Sequence, residues 1–306
     1  MIGSVAGART LPAPLTGRAS GVALAVASMT TIQLGAALSE PLFDRVEPAG
    51  LAALRLAFAA LILWPFARPR VRGRTGADVA AAVALGACSG VLTLAFFEAI
   101  ARIPLGVAVT IEFLGPLGVA LAGSRRARDV AWVLLAGAGV ALLTLGEGAG
   151  GPLAVAGIAF ACVAGMCWAG YIVLTKHVGE RWAGLEGLSV SLGVAALVAL
   201  PAGVAAAGSE LVDPAAVLAA AGLALLMPLL PYCFELFALR RLPTALFGVI
   251  MSLEPAIAAL LGFVILDQRL AAAGVVAIAM VSLASAGATL TGDAEPPPAD
   301  EPLHPS

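Results

Sequence analysis

Ten stretches of roughly 20 apolar residues follow one another through this chain with only short connections between them. They run over 20–39, 48–67, 79–100, 104–123, 130–146, 153–175, 185–207, 215–238, 244–265 and 271–291, the fifth being the shortest. A backbone in hydrocarbon must satisfy its own N–H and C=O groups, and a run of about 20 residues does so only as a helix. The expected fold class is therefore all-α: a polytopic membrane protein with ten transmembrane helices. Composition agrees, with 61% hydrophobic and 12% charged residues in 306 and a mean hydropathy of +1.02, well outside the range of soluble domains.

The basic residues test the count. Arg9 and Arg18, Arg68 to Arg74, Arg125, Arg126 and Arg128, Lys176 and Arg181, and Arg240 and Arg241 all fall in every second connection or the N-terminal tail. The intervening connections hold only Arg45, Arg102 and Arg269. A miscounted helix would scramble this alternation, and the positive-inside rule then places both termini in the cytoplasm. A nucleic-acid patch at Arg68–Arg74 is disfavoured, because a short cytoplasmic loop explains it. No small-residue cleavage site closes a short apolar region near the N-terminus, so the first stretch reads as an anchor and not a removed signal. The tail from Gly292, with Pro296-Pro297-Pro298 and several acids, is expected to be disordered.

Several function classes fall away. Cys88, Cys162, Cys167 and Cys233 lie in apolar stretches without a C-x-x-C pair and read as buried small hydrophobes. His177, in an expected loop, and His304, in the tail, are the only histidines. No metal-ligand spacing, P-loop lysine or Ser–His dyad is present, so no enzyme, metal or cofactor is expected. The expected partners are a small-molecule substrate, protons and the lipid bilayer, with no nucleic acid.

Against this background five charges stand inside the apolar stretches: Arg55, Glu98, Glu112, Glu235 and Glu254. An ionisable group at membrane depth costs roughly 2.5–3.5 kcal/mol on insertion scales and usually faces a bundle interior or an aqueous path. Prolines accompany them. Pro116 follows Glu112 by four, which frees the Glu112 carbonyl; Pro231 precedes Glu235 by four, and Pro255 follows Glu254 directly. Pro228 adds a second break in the eighth stretch. With about 1.5 Å of rise per residue, Glu112 lies about 12 Å and Arg55 about 10 Å from the outer face, a depth at which they can pair. Glu254 lies near the midplane. Glu235 and Glu98 lie near the cytoplasmic and outer ends, where snorkelling to the interface is the bland alternative.

The chain also repeats itself. Residues 96–117 read FFEAIARIPLGVAVTIEFLGPL and residues 233–256 read CFELFALRRLPTALFGVIMSLEPA. Both run Phe-Glu, a basic connection, a Pro, a span with a mid-helix Glu, and a second Pro 12 residues after the first. Ala27-Ser28-Met29 weakly echoes Ala164-Gly165-Met166. The implied organisation is a cytoplasmic tail (1–19), a first repeat (20–146), an outer loop (147–152), a second repeat (153–291) and a cytoplasmic tail (292–306). Five spans is an odd number, so the two repeats are inverted, an architecture that places substrate near the midplane between halves. Candidate substrate or proton contacts are Glu112, Glu254, Glu235 and Arg55. Gln33 is a further candidate, for substrate or for a neighbouring helix. Trp168 and Tyr171 either line the cavity or pack in the core. Gly86–Gly90 is a weak helix-packing signal.

The chain resembles the drug/metabolite transporter superfamily of EamA-type ten-helix exporters, and within it the threonine/homoserine exporter branch of bacterial inner membranes. The resemblance covers roughly residues 20–291. It rests on Ser28-Met29-Thr30-Thr31-Ile32-Gln33, Ala53-Leu54-Arg55-Leu56, Pro104 to Val109, Glu112-Phe113-Leu114-Gly115-Pro116 and Ser124-Arg125-Arg126. In the second half it rests on Cys167-Trp168-Ala169, Leu230-Pro231-Tyr232, Glu235, Leu242-Pro243-Thr244 and Met251 to Ala256. It implies secondary, proton-coupled efflux of small amino acids. Glu98 departs from the family pattern, where a neutral residue is common. The alternative is export of cationic drugs or other small metabolites, disfavoured by an aromatic content of 6%.

Overall fold

The computed structural model describes residues 18–122, 127–146, 152–183 and 185–291. Among these residues every regular element is a helix. The first three spans are continuous: α1 (Arg18–Ser39), α2 (Pro48–Ala67) and α3 (Gly76–Ile100). The fourth span is broken into α4 (Leu105–Glu112) and α5 (Leu114–Ala122), and α6 (Ala127–Gly146) completes the first five. The second five comprise α7 (Pro152–Arg181), α8 (Glu186–Ala207), the paired α9 (Pro214–Ala224) and α10 (Leu230–Leu239), the paired α11 (Thr244–Met251) and α12 (Glu254–Leu266), and α13 (Ala272–Thr291). Eight spans are long and apolar enough to cross a bilayer, and two shorter apolar helices, Leu105–Leu121 and Val130–Leu143, supply the remaining pair.

Local chemistry sets the ends. Pro48 opens α2 at its first turn, where a missing N–H costs nothing, and Arg68 closes it in the left-handed region at φ 44° just before Pro69. The Thr75 hydroxyl accepts the Asp78 N–H and caps α3. The expected segments fit closely, with one correction. α7 runs on to Arg181, so Lys176 and His177 lie in helix and not in a loop. The fifth span is a helix of 20 residues whose apolar part, Val130–Leu143, is short as expected. The tails, the 147–151 connection and Ser124-Arg125-Arg126 lie outside the described residues.

Helix packing follows a pairing that maps onto itself when each of the first five spans is exchanged with its counterpart in the second five. α2 packs on α8, α6 on α13 and α4 on α12, each on its own counterpart; α3 on α7 answers α1 on α10, and α3 on α8 answers α2 on α9. Without a hydrophobic drive between helices in lipid, close packing rests on small residues. A Cβ on Gly86 or Gly90 would come within 2.4 Å or 2.8 Å of the Ser191 or Ala195 carbonyl of α8, which makes the Gly86–Gly90 pair a true contact. Large apolar side chains such as Leu61, Phe66, Leu134 and Leu218 stand outward.

The end of the bundle carrying the arginine-rich connections is tied across the two halves. Arg74 pairs with Glu186 at 2.8 Å and stacks on Trp182, while Arg181 pairs with Asp78 at 2.9 Å.

Candidate functional site

The two broken spans place the acids. α4 ends at Glu112 because Pro116 has no N–H for the Glu112 carbonyl; the chain turns through Phe113 and restarts as α5. α11 ends at Met251, and Glu254 opens α12 with Pro255 in its first turn. The Ser252 hydroxyl pins this second break to Ser285 of α13 at 3.0 Å. α7 crosses the first break backbone to backbone: a Cβ on Gly115 would sit 2.0 Å from the Gly165 carbonyl, and one on Gly165 would sit 2.8 Å from the Glu112 carbonyl. Gly106 of α4 meets Ala259 of α12 as closely. The Gln268 amide oxygen accepts the Leu105 N–H at 2.9 Å and ties the start of α4 to the end of α12.

Glu112 and Glu254 are both buried and within electrostatic reach of each other; Glu235 in turn lies within reach of Glu254. Gln33 of α1 is 2% exposed and donates through Nε2 to Glu254 Oε1 at 3.0 Å. The other two oxygens of this pair, Gln33 Oε1 and Glu254 Oε2, are buried without any donor. Glu112 has no hydrogen-bond partner among the described residues. The arrangement is therefore rich in acceptors and short of donors, which suits a proton or an ammonium group.

Glu235 does not snorkel. The Ser28 hydroxyl donates to its Oε1 at 2.7 Å and lies 3.5 Å from the Pro231 carbonyl in the first turn of α10. Just before Pro231, a π-turn over Leu225–Leu229 contains Pro228 and lies against Gly35 through Met227. Tyr171 and Tyr232 lie within electrostatic reach of Glu235 and line a cleft with Leu85, Thr175 and Trp182, the ring on which Arg74 stacks at the basic end of the bundle. Trp168 meets Phe113 edge to face at 5.6 Å, beside the first break.

One sequence expectation changes. Arg55 does not pair with Glu112: its Nη2 donates to Thr93 Oγ1 at 3.0 Å, its guanidinium lies 5.2 Å from the centre of the Phe97 ring, and its Nε has no partner. Shared depth brought the two residues to one level, but the Arg55 side chain turns toward Thr93 and Phe97 of α3. Glu98 pairs with Arg102, one helical turn on, and is part of no acid cluster. Thr30 and Thr31 return their hydroxyls to carbonyls of their own helix. Ser28 is the contributor that sequence reasoning left out of the site; Ala27-Ser28-Met29, the weak echo of the helix that crosses the Glu112 break, was the available signal.

A bundle of ten apolar helices enclosing three carboxylates beside helix breaks defines a polytopic membrane transporter. Residues 155–290 match the model of the EamA-like transporter family. The threonine/homoserine exporter RhtA of Salmonella typhimurium (strain SL1344) is 38% identical over 270 residues, covering 88% of this chain and 91% of its own length. RhtA of Escherichia coli (strain K12) is 37% identical over 271 residues with the same coverage. The chain belongs to the EamA-like transporter family, in the branch of these exporters. A protein of known crystal structure at 22% identity superposes with a TM-score of 0.58, covering 88% of this chain and 98% of its own, a likeness of fold.

Proposed function

We propose that this protein exports threonine, homoserine and similar small amino acids across a bacterial inner membrane, in exchange for protons, by alternating access around the buried acids. The observation that carries this reading is the pair of donor-less buried oxygens, Gln33 Oε1 and Glu254 Oε2. A buried acceptor left unsatisfied costs about 1–3 kcal/mol, and a substrate ammonium offers N–H donors to both. Glu112, across the break, supplies a second carboxylate to the same cation. A proton arriving at Glu254 removes the charge that holds the ammonium, so proton entry and substrate release share one group. Glu235, with Ser28, Tyr171 and Tyr232, forms the station between this site and the basic end of the bundle, which we assign to the cytoplasm together with both termini. Trp168 and Phe113 form an apolar wall beside Glu112. The helix pairing supports two inverted repeats, 20–146 and 153–291, as the moving units.

The test is efflux of radiolabelled threonine and homoserine from preloaded proteoliposomes, with and without an imposed pH gradient. Wild-type efflux is expected to saturate and to rise with the gradient. Glu254→Gln, which removes a charge-assisted bond, is expected to lower efflux by about 10-fold or more. If Glu254→Gln and Glu112→Gln both transport normally as folded protein, the mechanism is wrong. Efflux of cationic dyes in place of amino acids would move the reading to a cation exporter.

A further inference from the structure

Arg55 is 6% exposed, and among the described residues no acid pairs with it. One hydroxyl and one ring face are its partners, and its Nε donor is unused. A guanidinium carries five N–H donors in a fixed fork that matches a carboxylate, so this one is far from satisfied. Retaining an uncompensated cation inside a bundle is expensive, and no structural ion pair among the described residues accounts for it.

Position links Arg55 to the acid site. Arg55 lies seven residues from the start of α2, Thr93 seven from the end of α3 and Gln33 six from the end of α1. At about 1.5 Å per residue, all three stand roughly 10 Å from the same end of the bundle. Phe97, beneath the guanidinium, belongs to one continuous apolar cluster with Ala36 and Ala37 of α1 and with Ala108 and Ile111 of α4, next to Glu112. Arg55 and the Gln33–Glu254 pair thus stand at one level, connected through this apolar cluster.

We propose that Arg55 and Thr93 form the seat for the α-carboxylate of the exported amino acid. This deepens the exporter reading and rests on it: the acid site takes the ammonium end, and Arg55 makes the substrate a zwitterion and not an amine. Arg55 and Thr93 then determine specificity, because an amine lacking the carboxylate leaves the buried cation unmatched.

The measurement is ligand-induced stabilisation of the purified full-length protein, titrated with L-threonine, with L-threoninamide, which lacks the carboxylate, and with 3-hydroxybutyrate, which lacks the ammonium. Wild type should prefer threonine over threoninamide by about 10–100-fold, the span of a charge-assisted bond. Arg55→Gln should bring that ratio close to one by weakening threonine binding; Arg55→Lys, which keeps the charge without the fork, should fall between. Glu254→Gln should instead erode the preference over 3-hydroxybutyrate. Should Arg55→Gln prove too unstable to purify, Arg55→Lys and Thr93→Val decide through the same ratio. An unchanged ratio in folded Arg55 or Thr93 variants overturns the carboxylate seat and leaves the exporter reading standing. A wild type stabilised by threoninamide but by no amino acid overturns both.

Discussion

Replacing Gly115 by alanine tests whether the break at Glu112 depends on direct main-chain contact with α7. The new Cβ would stand 2.0 Å from the Gly165 carbonyl, against an ordinary contact of 3.4 Å or more, a shortfall of about 1.4 Å. Neither partner is a flexible side chain, so α7 must move, and Gly165 already abuts Glu112 at its other contact. Overpacking of this kind costs about 1–3 kcal/mol. Alanine recovers about 0.5–1 kcal/mol over glycine in a helix, and a 1.4 Å overlap with rigid backbone lies at the upper end of the overpacking range, so a net loss of about 2 kcal/mol remains, or roughly 4–8 °C in melting temperature. Gly118, on the same short helix, has nothing within 4 Å of its would-be Cβ, and Gly118→Ala should hold or raise the melting temperature. The assay is thermal unfolding of detergent-solubilised protein, paired with threonine efflux, which should drop for Gly115→Ala alone. Equal melting of the two variants would refute the backbone contact as the keystone of the break.

Two further outcomes follow from the hydrogen bonds. Ser28→Ala strips Glu235 of a donor at 2.7 Å and should cost about 1.5–3 kcal/mol; thermal melts of the Ser28→Ala/Glu235→Gln double cycle should show that loss largely disappear without the carboxylate, and additive effects would place Glu235 elsewhere. Glu98→Gln disrupts only a partly exposed pair with Arg102 and should cost less than about 1 kcal/mol, with efflux within about twofold of wild type; abolished efflux would bring Glu98 into the transport path.

Much of the architecture is legible in the chain. Helix α2 occupies the apolar run 48–67 because Pro48 can open a helix and the residue before Pro69 cannot continue one. Pro116 and Pro255 announce the two breaks, and Pro228 announces the π-turn. What the sequence withholds is direction around each helix. A span in lipid is apolar on every side, so periodicity does not say which face looks inward. Residue counting put Arg55 and Glu112 at one depth and suggested a pair; the structure turns Arg55 toward Thr93. The same blindness hid the Gln33–Glu254 bond, which joins residues 221 positions apart, and left Ser28 out of the candidate site. Depth is a one-dimensional quantity, and partners are chosen in the two dimensions it leaves out.

The meeting of Gly165 with Glu112, and of Gly106 with Ala259, has a consequence for how such a protein tolerates change. Where main chain rests on main chain, no side chain stands between the acids and the frame that holds them. Outward residues such as Leu61, Phe66, Leu134 and Leu218 are therefore free to drift among apolar types without disturbing the acids, while a single methyl at a crossing glycine reaches them directly. Sequence divergence in this family should accordingly be lopsided, broad over the lipid face and nearly frozen along a thin seam of glycines and alanines.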